Sequence, residues 1–192
     1  MQVTYKGGYN KLDPQHAKEF ILASHAVVVR EHINAGRHIG VVTYAKDDGY
    51  YDGRIRSFFG EKARIINHAS LDPQWGDYDL LYLLGGNQLR LHKALLDHSF
   101  SLSYLKSDVW LVGDSAGAMV LSAFYYDIDD TGDIHFHEGL YPDSKRIVIV
   151  HADNPSYAPE HLFLNVEKFA SGHNLEVIKL NENQEVVRIA TI

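Results

Sequence analysis

The 192-residue chain is 45% hydrophobic and 22% charged, the proportions of a soluble globular domain long enough to bury a full core. A formal charge of −7 argues against a nucleic-acid backbone as partner, and the absence of cysteine excludes disulfides, thiolate metal sites and a cysteine nucleophile. The opening MQVTYKGGYNKLD lacks the apolar stretch of a signal peptide and no segment reaches membrane-spanning length, so a single cytoplasmic domain over 1–192, with no membrane partner, is the expectation.

Helical and strand patterns alternate along the chain. Asp13-Pro14 is a good helix start; Ala17, Phe20, Ile21, Val27 and Val28 follow at helical spacing, and Gly36 suits the position just past the helix. His38–Ala45 and Ala63–His68 read as strands. Asp79–Leu84 is an apolar strand ending at Gly85-Gly86, and Asn87–Leu96 a helix. The run Val109–Val112 stops at Gly113 and is followed by a helix over Ala116–Phe124. Asp127–Asp133 is acidic and aperiodic, a loop or hairpin. Ile147–Val150 is a strand ending at His151. Leu162, Phe163, Val166, Phe169 and Ala170 mark a helix stopping at Gly172. Two closing strands, Leu175–Leu180 and Glu185–Ala190, flank Asn181-Glu182-Asn183. Continuously apolar strands separated by helices predict a mostly parallel sheet covered on both faces. Ligands of such sheets sit outside the carboxyl ends of the strands, so Gly85-Gly86, Ser115 and His151 are expected to converge.

The segment VWLVGDSAGAM, residues 109–119, carries the most chemistry. Strand, G-x-S-x-G and helix together form a nucleophile elbow, in which a sharp turn lifts the serine hydroxyl above the sheet. Gly113 and Gly117 leave room for that turn. A serine needs a base to take its proton during attack, and His151 is the best-placed histidine. A third group should orient the imidazole; Glu182 and Asp130 both qualify. The Gly85-Gly86 pair and the Ala116 N–H are the expected sources of oxyanion donors around Ser115. Of the 12 histidines, His135 and His137 alternate as on a strand, yet no tight cluster of ligand types supports a metal site, and neither metal nor cofactor is expected.

Gly85-Gly86-Asn87-Gln88 followed by Gly113-Asp114-Ser115-Ala116-Gly117-Ala118, with a histidine after the next strand, resembles the serine peptidases of the dipeptidase E and cyanophycinase group. The resemblance runs from about His38 to Val187. It implies an α/β, flavodoxin-like three-layer sandwich related to class I glutamine amidotransferases, with serine in place of cysteine. By position it makes Ser115 the nucleophile, His151 the base and Glu182 the favoured third member. Gly86 and Ala116 become oxyanion donors, and Asn87 and Gln88 substrate-binding residues. The implied substrate is a small peptide or amide, and a homodimer is compatible.

Two departures bear on specificity. Family members acting on aspartyl groups carry an arginine after the histidine, but between His151 and Val187 this chain has none, only Lys168 and Lys179, with Asn165 near the expected place. Asparagine cannot copy the bidentate arginine–carboxylate pair. Asp114 also adds a negative charge beside the serine. Two other readings follow: a family-shaped binding or assembly protein without catalysis, and an esterase of the α/β-hydrolase type. The latter lacks an HGGG motif and has little chain after Ser115 for the Ser…Asp…His order.

Overall fold

The computed structural model describes residues 1–9, 23–70 and 73–189. The expected helix start at Asp13-Pro14, with Ala17, Phe20 and Ile21, lies outside them. In chain order the first elements are β1 (Gln2–Lys6), α1 (Ala23–Asn34), β2 (Ile39–Val42), α2 (Asp52–Phe59), β3 (Arg64–Ile66), β4 (Leu80–Leu83) and α3 (Gln88–Asp97). The elbow supplies β5 (Trp110–Asp114) and α4 (Ala116–Val120). After it come β6 (Phe124–Ile128), β7 (Ile134–Glu138), β8 (Arg146–Ile149), α5 (Glu160–His173), β9 (Glu176–Lys179) and β10 (Glu185–Ile189).

The architecture is α/β, with mixed sheets of mostly parallel strands. Instead of the single sheet expected, the strands divide into a six-stranded sheet, β10-β1-β5-β4-β2-β3, and a four-stranded one, β7-β6-β8-β9. Among the described residues only the β1–β10 and β6–β7 pairs are antiparallel. The larger sheet is buried on both faces because its strands alternate between two cores. Ile39, Val41, Leu80, Tyr82, Trp110 and Val112 pack with Val29, Ile55 and Phe59 of α1 and α2. On the other face, Val42, Leu81, Leu83 and Leu111 pack with Leu91 and Leu95 of α3 and with α4. Continuous apolar strands arise because both faces need apolar cover.

Several boundaries differ from those expected. The helix after the elbow ends at Val120, not Phe124. Ala123 is captured by neighbouring strands: its N–H donates to the Arg146 carbonyl at 2.9 Å, and its own carbonyl accepts from Gly139 at 2.8 Å. Phe124 therefore opens β6. α5 runs through Gly172 and stops at Asn174, which takes the left-handed conformation (φ 53°). Gly36 does lie at positive φ, 68°, just past α1. α2 has no counterpart in the sequence reading, although Ile55 and Phe59, one turn apart, are its buried face. Among the described residues no helix is long and apolar enough to cross a membrane.

Candidate active site

The site lies where the two sheets meet. β5, central in the larger sheet, ends at Asp114, and Ser115 follows in the conformation φ 50°, ψ −110°. A non-glycine residue there is strained, and the packing around it enforces the turn. A Cβ on Gly113 would lie 2.5 Å from the carbonyl of Gly117, and one on Gly117 would lie 2.2 Å from the Leu83 oxygen of β4. The Ser115 N–H is tied to the Lys6 carbonyl of β1 at 3.0 Å, and its carbonyl accepts from Met119, which starts α4.

β8 of the smaller sheet delivers His151, also at positive φ (51°). Its N–H donates to the Gly7 carbonyl at 2.9 Å, fixing it beneath the end of β1. The ring crosses the junction: Nε2 is 3.1 Å from Ser115 Oγ, and Nδ1 is 2.9 Å from Glu182 Oε1. A carboxylate only accepts, so Nδ1 carries the proton and Nε2 is left to accept from the serine hydroxyl. Glu182 lies in the turn between β9 and β10, the connection from one sheet to the other. Its Oε1 also accepts from Asn154 Nδ2 at 2.9 Å, and its backbone N–H donates to Asp153 Oδ1 at 2.8 Å. The side chains of His151 and Glu182 are 9% and 8% exposed, so the pair is shielded from water.

Glycines not singled out in the sequence hold this junction together. Gly7 donates to the Gln184 carbonyl, and the Gly8 carbonyl accepts from Asn183, so one short loop grips both the histidine and the glutamate turn. Gly8 has φ 90°, and a Cβ there would fall 2.3 Å from His151 Nε2. The imidazole sits against bare backbone, and Tyr157 stacks on it at 4.6 Å between centroids.

Of the other expected residues, Gly86 (φ 145°), Ala116 and Gln88 line the same cavity as Ser115 and His151. Gln88 Nε2 donates to the Tyr126 carbonyl at 3.2 Å. Asn87 is not among the cavity residues. Its Oδ1 caps α3, accepting the Arg90 N–H at 2.8 Å, which gives it a structural task. Asp130, the rival third member, is exposed in the β6–β7 turn, while His151 Nδ1 is given to Glu182. Asn165 is likewise exposed and bonded within its own helix, donating to the His161 carbonyl.

Beneath the elbow lies a buried charge cluster. Lys6 and Asp114 are direct neighbours in the β1–β5 register, 3% and 4% exposed. Lys6 Nζ donates to the Tyr82 hydroxyl at 3.0 Å. Burial pulls the Lys6 ammonium below its ordinary range, against the attraction of Asp114 and Glu185. Burial, reinforced by Asp114 and Glu185, pushes the Tyr82 phenol well above its own. Asp114 thus borders the cavity with the buried Lys6 as its neighbour in the β1–β5 register.

Missed in the sequence were Gly7-Gly8, Asp153, Asn154 and the cavity tyrosines. For Gly7-Gly8 a signal existed: they follow a short strand, as Gly85-Gly86 do. Among the described residues no three histidine, aspartate or glutamate side chains gather as metal ligands. No model of a known protein family matches the chain, and no curated protein matches it.

Proposed function

We propose that the chain is a serine hydrolase that cleaves a small peptide or amide through an acyl-enzyme on Ser115. In this reading its two-sheet core is a flavodoxin-like frame of the kind found in class I glutamine amidotransferases. The observation that carries the reading is the continuous relay Ser115 Oγ–His151 Nε2 and His151 Nδ1–Glu182 Oε1, at 3.1 and 2.9 Å, on a serine held at φ 50°. A structural serine needs neither a strained backbone nor a shielded imidazole–carboxylate pair behind it.

The chemistry follows from those contacts. As Ser115 Oγ bonds to the substrate carbonyl carbon, its proton passes to His151 Nε2, and Glu182 stabilises the imidazolium. Charge collects on the carbonyl oxygen, where the Gly86 and Ala116 N–H groups donate. The C–N bond breaks as the leaving amine takes the proton from Nε2. Water then repeats the sequence on the ester and frees Ser115. The same relay speaks against a non-catalytic binding protein, which would gain nothing from it. An activated ester such as p-nitrophenyl acetate tests the reading: a burst of p-nitrophenol with an acetyl mass increment on the Ser115 peptide is expected. Release without an adduct on Ser115 would overturn it.

A further inference from the structure

The cavity beside Ser115 holds about 440 Å³, within the range of small-molecule sites, and its walls are rich in rings. Tyr9, Tyr51, Tyr126 and Tyr157 line it, together with Met119 and Ile128. The tyrosine hydroxyls are largely occupied. Tyr51 donates to the Gly85 carbonyl at 3.2 Å, Tyr126 is bonded to the Val150 main chain, and Tyr9 accepts from Arg54 at 3.3 Å. Tyr157 is fixed by its stack on His151. With three of the four hydroxyls bonded to protein, these residues offer a ligand mainly ring carbon and aliphatic surface, beside the polar groups of Gln88 and Ser156.

Charge points the same way. Lys46 is the one lysine or arginine among the described lining residues, and its ammonium lies 5.3 Å from the ring centroid of Tyr50. Tyr50 is 56% exposed, which places that cation at the solvent rim. Arg90 is engaged with Asp47 at 2.6 Å.

We propose that this cavity receives a bulky, uncharged, aromatic side chain on the acyl side of the scissile bond. The inference rests on the acyl-transfer reading above and adds its substrate class. Burying a ring in place of a methyl group gives roughly a tenfold to hundredfold gain in kcat/KM.

The test is a matched series of N-acetyl amino-acid p-nitrophenyl esters carrying Phe, Ala or Asp side chains, assayed with the intact chain. Phe is expected to exceed Ala by at least about tenfold and Asp by more. A second measurement on the same wild-type protein is protection of Ser115 from a fluorophosphonate. Phenylacetamide should slow labelling at concentrations where succinamate does not. Ile128→Arg, which sets a cation on the apolar wall, should narrow the Phe-to-Asp ratio at least tenfold. Labelling of Ser115 combined with equal or better use of Asp overturns the substrate class and leaves the hydrolase reading standing. No labelling of the wild type overturns both.

Discussion

Two histidine–carboxylate pairs in this molecule look alike on paper and differ in every respect that chemistry needs. His135 Nε2 donates to Asp129 Oδ2 at 3.0 Å, and His151 Nδ1 to Glu182 Oε1 at 2.9 Å. The first pair spans a hairpin turn, 53% and 38% exposed, and its carboxylate also accepts from Thr131 and Asp133 of the same turn. The second is 9% and 8% exposed, joins two sheets, and has a strained serine on the ring's other nitrogen. One holds a turn; the other forms a relay. A histidine beside a carboxylate is thus an ordinary stabilising contact until burial, a fixed tautomer and a nucleophile are added.

The largest effect that separates the pairs should come from the buried carboxylate. Glu182→Gln is expected to slow fluorophosphonate labelling by about 10²–10⁴-fold, because an amide can hold the wrong imidazole tautomer and cannot stabilise the imidazolium. Asn154→Ala, which removes the second anchor of that carboxylate and the acceptor of the Ser156 N–H, should cost roughly tenfold. Asp130→Asn should change the rate less than about twofold, since a surface carboxylate without contact to the ring contributes little. If Asp130→Asn had the larger effect, the relay would be drawn through the wrong acid.

Gly8→Ala sharpens the contrast from the backbone side. The added methyl would overlap His151 Nε2 and sit at φ 90°, so the ring must shift away from Ser115. The expected result is at least about a tenfold loss of labelling together with about 1–3 kcal/mol of destabilisation, measured by urea unfolding. His135 sits on no such backbone. Wild-type labelling in Gly8→Ala would mean that the close approach of ring and glycine is not required.

The smallest effect belongs to the exposed pair, and it is one of pH. The hydrogen bond to Asp129 raises the His135 imidazole above its ordinary range, and the hydrogen bond from His135, with Thr131 second, holds the Asp129 carboxyl well below its own. A raised histidine contributes stability below its unfolded pKa and loses it as pH climbs through the folded value. A depressed aspartate contributes above its unfolded pKa and loses it as pH falls through the folded value. Both act together between about pH 4 and 6.5. His135→Asn should therefore lower Tm by no more than about 2 °C near pH 5, fading to nothing by pH 8. Scans at the two pH values check this, and labelling should not change.

What the sequence could reveal follows the same divide. The elbow was legible because its turn demands small residues at fixed offsets: Gly113 and Gly117 answer to contacts with each other and with Leu83. His151 was legible as the polar residue closing an apolar strand, while the third member stayed open between Glu182 and Asp130 until the family resemblance favoured the acid of the late turn. Asn87 carries a second task that its residue type also signals, the cap of α3. Asn154 and the tyrosines of the cavity act through partners distant in sequence and leave no local pattern, whereas Gly7-Gly8 left one, a glycine pair closing a short strand, that was passed over. The division into two sheets was hidden for a related reason. An apolar parallel strand reads the same whichever sheet it joins, and the choice is made by pairings such as Phe124 with Ile147.

The central claim is that the relay ends on a nucleophile, and the reactivity of Ser115 measures this directly. Wild type and Ser115→Ala are treated with a fluorophosphonate probe, followed by intact mass and peptide mapping, with thermal unfolding recorded for both. Wild type should take up one probe on the Ser115 peptide, at least about 10³-fold faster than any residue of the alanine variant, with Tm nearly unchanged. Equal labelling of the two proteins, or a wild-type adduct on another residue, would contradict the account.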